Sequence, residues 1–233
     1  MRLSRLSALA LLLLVRSAGA QVGHDPAHSP YWTLRYGQFL GATTGYFNGS
    51  GGQLGAAPHQ GPTFGLRYDF LGAGTVTVGL AGSYGDLKRF IVNPHQPIAT
   101  ALTGPVKQHG TFVEGILQFN LTGGKTWHRI APFVSTGVGL VIFSNTPADT
   151  SGFKLHSRAT LTPGIGARLF LTERMFLRVE ARSMFWSISY PASYSATPSS
   201  DPTKPAVLQS PGKEWTGTGW YSIGLSYAFH RPF

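Results

Sequence analysis

Only 12% of the residues in this 233-residue chain are charged, so the charges set inside apolar stretches are the first candidates for chemistry. Arg67 and Asp69, then Glu114, then Arg168, then Arg178, Glu180 and Arg182 all sit where their immediate neighbours in the chain are mainly apolar. Alternate residues of a strand share a face, so a two-residue spacing gathers these groups on one side. Seven such groups facing a confined space can pair as a bridged network, because an unpaired charge removed from water is costly. They could instead line a narrow ion path, and four Arg against three acids would then give a slight preference for anions.

Nucleophilic catalysis is poorly supplied. The chain has no Cys, which excludes thiolate nucleophiles, Cys-ligated metals and disulfides. His156 and Ser157 are adjacent, and adjacent strand side chains point to opposite faces, so they are poorly placed as base and nucleophile. His24 and His28 could share a metal ion but fall in a polar amino-terminal stretch. The other His residues fall mainly in loops, turns or termini. No catalytic residue, metal site or cofactor is expected.

The elements that must position the charges are strands. Phe64, Leu66, Tyr68 and Phe70 alternate with Thr63, Gly65, Arg67 and Asp69, a two-residue period with one apolar face. The Gly-rich link Leu71 to Gly74 turns it into Val76, Val78, Leu80 and Tyr84. Val113, Leu117, Phe119 and Leu121 oppose Glu114, Gln118 and Asn120, and Thr122 to Lys125 leads to a strand over Ile130 to Phe143 with Val134, Val138, Leu140 and Ile142 outward. Leu161, Ile165, Leu169 and Leu171 oppose Arg168, and Leu177, Val179 and Ala181 oppose Arg178, Glu180 and Arg182. The last strand sets Tyr221, Ile223, Leu225, Tyr227 and Phe229 on one face. A first strand lies within Trp32 to Phe47, where Phe39 breaks the parity of Trp32, Leu34 and Tyr36; a bulge near Gly37 would account for the slip.

Eight strands of this kind, without a second apolar helix, predict an all-β fold: an eight-stranded antiparallel up-and-down transmembrane β-barrel. Hydrocarbon offers backbone polar groups no partner, so strands cross it only when closed edge to edge. Connections after the second, fourth and sixth strands are short and the others long, which places short turns in the periplasm and long loops outside. The outer loops are expected at Asn48 to Gly61, Lys88 to His109, Ser144 to His156 and Pro191 to Trp215. The last is rich in Pro and Ser and is expected to be irregular and mobile. Trp32, Trp127, Trp186, Trp215 and Trp220 are read as interface girdles. Tyr190, Tyr194 and Trp215 could alternatively stack on carbohydrate.

Residues 1–20 read as a secretory signal peptide: Arg2 and Arg5 precede the apolar run Leu6 to Val15, and Ala18 and Ala20 mark the cleavage site. Residues 21–31 are a short periplasmic segment and residues 32–233 the barrel. Mean hydropathy close to zero fits strands with alternate residues facing lipid. Net charge is +10, or +7 without Arg2, Arg5 and Arg16. The basic residues are scattered and the chain is exported, so acidic lipopolysaccharide is the expected counter-charge and nucleic acid is not.

On its strand rhythm, its Pro132-Phe133 to Gly137-Val138-Gly139 stretch, its Leu169-Phe170-Leu171 to Arg182 hairpin and its terminal aromatic strand, the chain resembles small outer membrane barrels of the OmpA/OmpX type, sometimes grouped as porin-like barrel domains. The resemblance covers nearly all of Trp32 to Phe233. It implies the outer membrane of a Gram-negative-type envelope, with lipid and lipopolysaccharide as surroundings. It also implies an assembly machinery reading a carboxyl-terminal aromatic signal, here Tyr227, Phe229 and Phe233; Arg231 and Pro232 depart from the family pattern. Lipid A deacylase barrels carry a His and Ser two apart, followed by Asn, which this chain lacks. The expected role is structural or adhesin-like, through a surface ligand at the loops and without catalysis. A narrow channel and a lipid A-modifying enzyme are the alternatives.

Overall fold

The computed structural model describes residues 29–230 except 73, 148, 150, 152, 210 and 211. Ala18 and Ala20 of the expected signal peptide, the pair His24 and His28, and Phe233 of the expected assembly signal therefore lie outside the described residues. Ten strands follow in order: β1 (Tyr31–Thr33), β2 (Tyr36–Gly49), β3 (Gln60–Leu71), β4 (Val76–Val92), β5 (Leu102–Asn120), β6 (Lys125–Trp127), β7 (Ile130–Phe143), β8 (Arg158–Phe170), β9 (Met175–Ser189) and β10 (Lys213–His230). One turn of helix, α1 (Ile98–Ala101), joins β4 to β5.

Eight of these strands close a wall in the order β2-β3-β4-β5-β7-β8-β9-β10, every neighbouring pair antiparallel, with β10 returning to β2 through pairs such as Ile223↔Thr44. Closure leaves no sheet edge, which is what allows the outward face to be apolar. Leu66, Leu80, Val138 and Ile165 are each more than 60% exposed, and they belong to a belt of exposed Leu, Val, Ile, Phe and Tyr contributed by all eight strands. In water so large an apolar surface would drive association; around a closed barrel it is a membrane-facing belt. Among the described residues no helix is long and apolar enough to span a membrane.

β1 lies outside the wall. It pairs with β6 (Trp32↔Thr126) and straps across the short-turn mouth, so Trp32 belongs to the strap and the wall begins at Tyr36. The parity slip seen in the sequence has two parts: this break between β1 and β2, and a bulge in the β10 pairing, where Phe229 faces Gln38 and His230 faces Tyr36, skipping Gly37. The region expected as a loop from Lys88 to His109 is mostly ladder, since β4 and β5 continue to pair past Lys88↔Lys107 to Val92↔Leu102. The wall strands exceed the roughly 9–11 residues needed to cross hydrocarbon, and the excess stands above the belt on the loop side.

The lumen is narrow, and glycine makes room in it. A Cβ on Gly164 would lie 2.5 Å from Arg182 Cγ, and one on Gly166 2.5 Å from Phe133 Cζ.

Candidate functional site

Even-numbered residues of β5, β8 and β9 and odd-numbered residues of β3 point inward by strand periodicity, and this brings the seven charged residues named from the sequence into the middle of the lumen. All seven are at most 7% exposed. Arg67 Nε donates to Asp69 Oδ1 (2.8 Å), its Nη1 to Glu180 Oε2 (3.1 Å) and its Nη2 to Gln118 Oε1 (3.1 Å). Arg178 bridges the same acid and the same amide, through Nη2 to Asp69 and Nη1 to Gln118 (2.8 Å). Arg182 Nη1 donates to Glu114 Oε2 (2.7 Å), whose other oxygen accepts from Thr162 Oγ1 (2.6 Å). Ser135 Oγ completes Glu180 at 3.0 Å.

Arg168 is the exception. It sits directly across the ladder from Arg178, gives one hydrogen bond to Asn120 Oδ1 (2.7 Å), and leaves Nε and Nη1 without a partner. Its guanidinium lies 5.5–5.9 Å from the ring centroids of Phe39, Phe170 and Phe176, so aromatic faces take the place of an acid. The positive excess counted in the sequence thus localises on one side chain. Gln118, Asn120, Ser135 and Thr162 are network members absent from the sequence-derived set, although Gln118 and Asn120 share the parity of Glu114.

Apolar layers close both sides of this ionic layer. Towards the short turns, Phe39, Leu71, Ala131, Phe170, Phe176 and Ala228 form a core with Leu34 and Tyr36 packed against it. Towards the loops, Phe47, Leu87, Phe112, Phe143, Met184, Trp186 and Trp220 meet loop residues including Leu54, Phe153, Tyr194 and Leu208. Trp186 and Trp220, expected in the interface girdle, are at most 2% exposed and face the lumen, because they share the inward parity of Arg182 and Ser222. Trp32, Trp127 and Trp215 are exposed. Tyr227 and Phe229 of the expected assembly signal face outward at 41% and 40% exposure, and Arg174 Nη1 donates to Tyr227 Oη at 3.2 Å.

The long loops fold onto this plug. Tyr190 Oη donates to Glu214 Oε2 (2.8 Å), which also accepts from the Gln53 amide (3.2 Å); burial and the Glu214 carboxylate push the Tyr190 phenol up. Ser200 Oγ reaches the His95 carbonyl at 2.7 Å. The loop from Pro191 onward, expected to be mobile, instead buries Tyr194, Val207 and Leu208, and Tyr190 and Tyr194 are packed inward, away from any carbohydrate. Sequence composition marks its irregular backbone but not these anchors.

Arg89 and Asp149 tie the loop after β7 to β4 through a 2.6 Å bridge whose side chains are each 3% exposed. Burial pushes the Asp149 carboxyl up, but hydrogen bonds from Ser151 and Arg89, with the Arg89 charge, more than offset it and leave the carboxyl below its ordinary 3.8. A depressed folded-state value stabilises the loop above about pH 3.8, and that contribution is lost as pH falls through the lower folded value. Protease nicking near residue 149 is therefore expected to rise below pH 3.8 in the native protein, and Asp149→Asn to show the higher rate above pH 3.8 and to converge with the native protein as pH falls through the lower folded value.

His156 and Ser157 are both exposed and lie in the loop before β8. Among the described residues no group of three or more His, Asp or Glu converges on one point. What the site offers is a filled lumen and a loop surface.

Closed wall, apolar belt and filled lumen together define a small eight-stranded outer membrane β-barrel. Among solved structures, the chain is similar to the outer membrane protein OprG of Pseudomonas aeruginosa, with 17% identity, TM-score 0.51, and 85% of this chain and 99% of that one covered. It is also similar to the N-terminal β-barrel domain of P. aeruginosa OprF (13% identity, TM-score 0.46, 83% and 98% covered) and to Neisserial surface protein A (12%, 0.47, 86% and 98%). At these identities the likeness is one of fold. No protein-family model and no curated protein sequence matches the chain.

Proposed function

We propose that this protein is a sealed outer membrane barrel with a structural or surface-interaction role, acting through its capped loop surface without catalysis. The observation that carries this reading is the three-layer filling of the lumen: an apolar layer at each end and a hydrogen-bonded ionic layer between. An eight-stranded barrel has an interior just wide enough for its own side chains, and here large aromatic side chains fill it. Loops pinned to one another and to the plug present a defined surface at the outer end, which suits recognition of a partner.

The test is planar-bilayer conductance of the refolded chain, after heat-modifiable gel mobility has shown that the barrel has formed. The expected result is a folded barrel without discrete conductance steps. Reproducible steps that disappear when Arg178 and Arg182 are neutralised would replace this reading with that of a narrow channel.

A further inference from the structure

We propose that the outward face of the β4–β5 extension is a docking site for a phosphorylated glycolipid of lipid A type, held by Lys88 and Lys107. The inference rests on the outer membrane placement and gives that surface a lipid partner.

Lys88 and Lys107 are direct register partners in the ladder, and both are exposed. Like charges set directly opposite each other across two strands are destabilising, unless an anion sits between them. The nearby acid is Asp86, 3.5 Å from Lys107 Nζ and also 3.5 Å from His109 Nδ1; among the described residues Lys88 has no ion pair. The row continues sideways, since Lys88 faces Gln60 and Gln60 faces Asn48. Both are exposed and both carry amide donors. With strands about 4.8 Å apart, the row offers two ammonium groups and two amides over roughly 14 Å, a span suited to a headgroup bearing more than one phosphate.

The height on the wall fits the same partner. Tyr84 and Tyr46, 46% and 45% exposed, mark the upper edge of the belt, and Lys88 lies four residues beyond Tyr84. At about 3.4 Å per residue on a tilted strand, the ammonium groups stand at headgroup level. Directly below them Phe64, Leu80 and Val113 are 56%, 61% and 47% exposed, offering apolar wall to the acyl chains of the same molecule.

The experiment titrates the refolded full chain in detergent micelles with diphosphoryl lipid A, with zwitterionic phosphatidylcholine, and with inorganic phosphate as competitor. Native mass spectrometry reads the bound lipid. Lipid A is expected to be retained at least tenfold more tightly than phosphatidylcholine, and less so at high salt. Lys88→Gln with Lys107→Gln is expected to weaken retention about twentyfold or more, while Lys154→Gln with Lys204→Gln leaves it unchanged. If the first pair does not fold, Lys88→Gln alone decides, at about fivefold. Equal retention by the Lys88 and Lys107 variants, equal retention of both lipids, or displacement by equimolar inorganic phosphate would overturn the proposal. Conductance steps from the unaltered barrel would defeat the sealed-lumen reading and leave this result standing, because the lipid is read on the outer wall.

Discussion

Asp69→Asn is expected to lower the unfolding free energy of the refolded barrel by about 3–5 kcal/mol, the cost of leaving a buried cation without its partner. Asp69 is 2% exposed and accepts from both Arg67 and Arg178, so a single neutralisation takes the one paired acid from Arg178 and leaves Arg67 with Glu180 alone. Arg168→Met should behave oppositely. Arg168 has no acid of its own; its replacement loses the Asn120 hydrogen bond and the cation-π contacts with Phe39, Phe170 and Phe176, where an apolar side chain can still pack, while Asn120 Oδ1 keeps its 2.7 Å bond from Gln118. Replacing such a charge with an apolar side chain of similar volume is often neutral or stabilising. Urea unfolding in lipid vesicles, followed by tryptophan fluorescence and gel mobility, separates the two. A small effect at Asp69 with a large one at Arg168 would mean that the network is held by position 168 rather than by its acids.

Trp220→Ala is expected to cost about 3–5 kcal/mol by opening a cavity in the loop-side plug. The indole packs against Phe47 and Phe112 with ring centroids 5.8 and 5.1 Å away. It lies under the Arg182 guanidinium at 4.1 Å, and its Nε1 donates to Thr63 Oγ1 at 2.9 Å. Trp220→Phe keeps a ring and should lose less, chiefly the Thr63 hydrogen bond. Combining Trp220→Ala with Trp186→Ala should also produce conductance steps in planar bilayers. A folded but silent double variant would place the seal in the ionic layer or the loop cap instead of the plug.

Much of the wall was legible in the sequence because strand geometry is local. Alternation of Leu66 with Arg67, or of Val179 with Glu180, assigns each side chain to a face without knowledge of any partner. Turn length is equally local, and Leu71 to Gly74 and Thr172 to Arg174 mark hairpins by themselves. Misreadings arose where residue type was weighed above parity: Trp186 and Trp220 are aromatic residues near strand ends, yet their parity with Arg182 and Ser222 places them inside. Other misreadings arose where local composition is silent about long-range packing. Polar residues between Lys88 and His109 resemble a loop, but the two arms pair with each other and continue the sheet. The Pro- and Ser-rich segment carries few apolar residues, and those few, Tyr194, Val207 and Leu208, are its anchors.

The sequence by itself determined that this chain forms inward- and outward-facing strand surfaces, which charges face inward, and which end carries the long loops, since all of these follow from a two-residue period and from connection length. Only the tertiary structure decided which inward groups meet. Arg67 reaches Glu180 across 113 residues, and of the four Arg in the network Arg168 is the one left without an acid. Such pairings depend on the stagger with which eight strands close into a ring. That stagger is fixed by the whole set of ladders together, and no single stretch of sequence contains it.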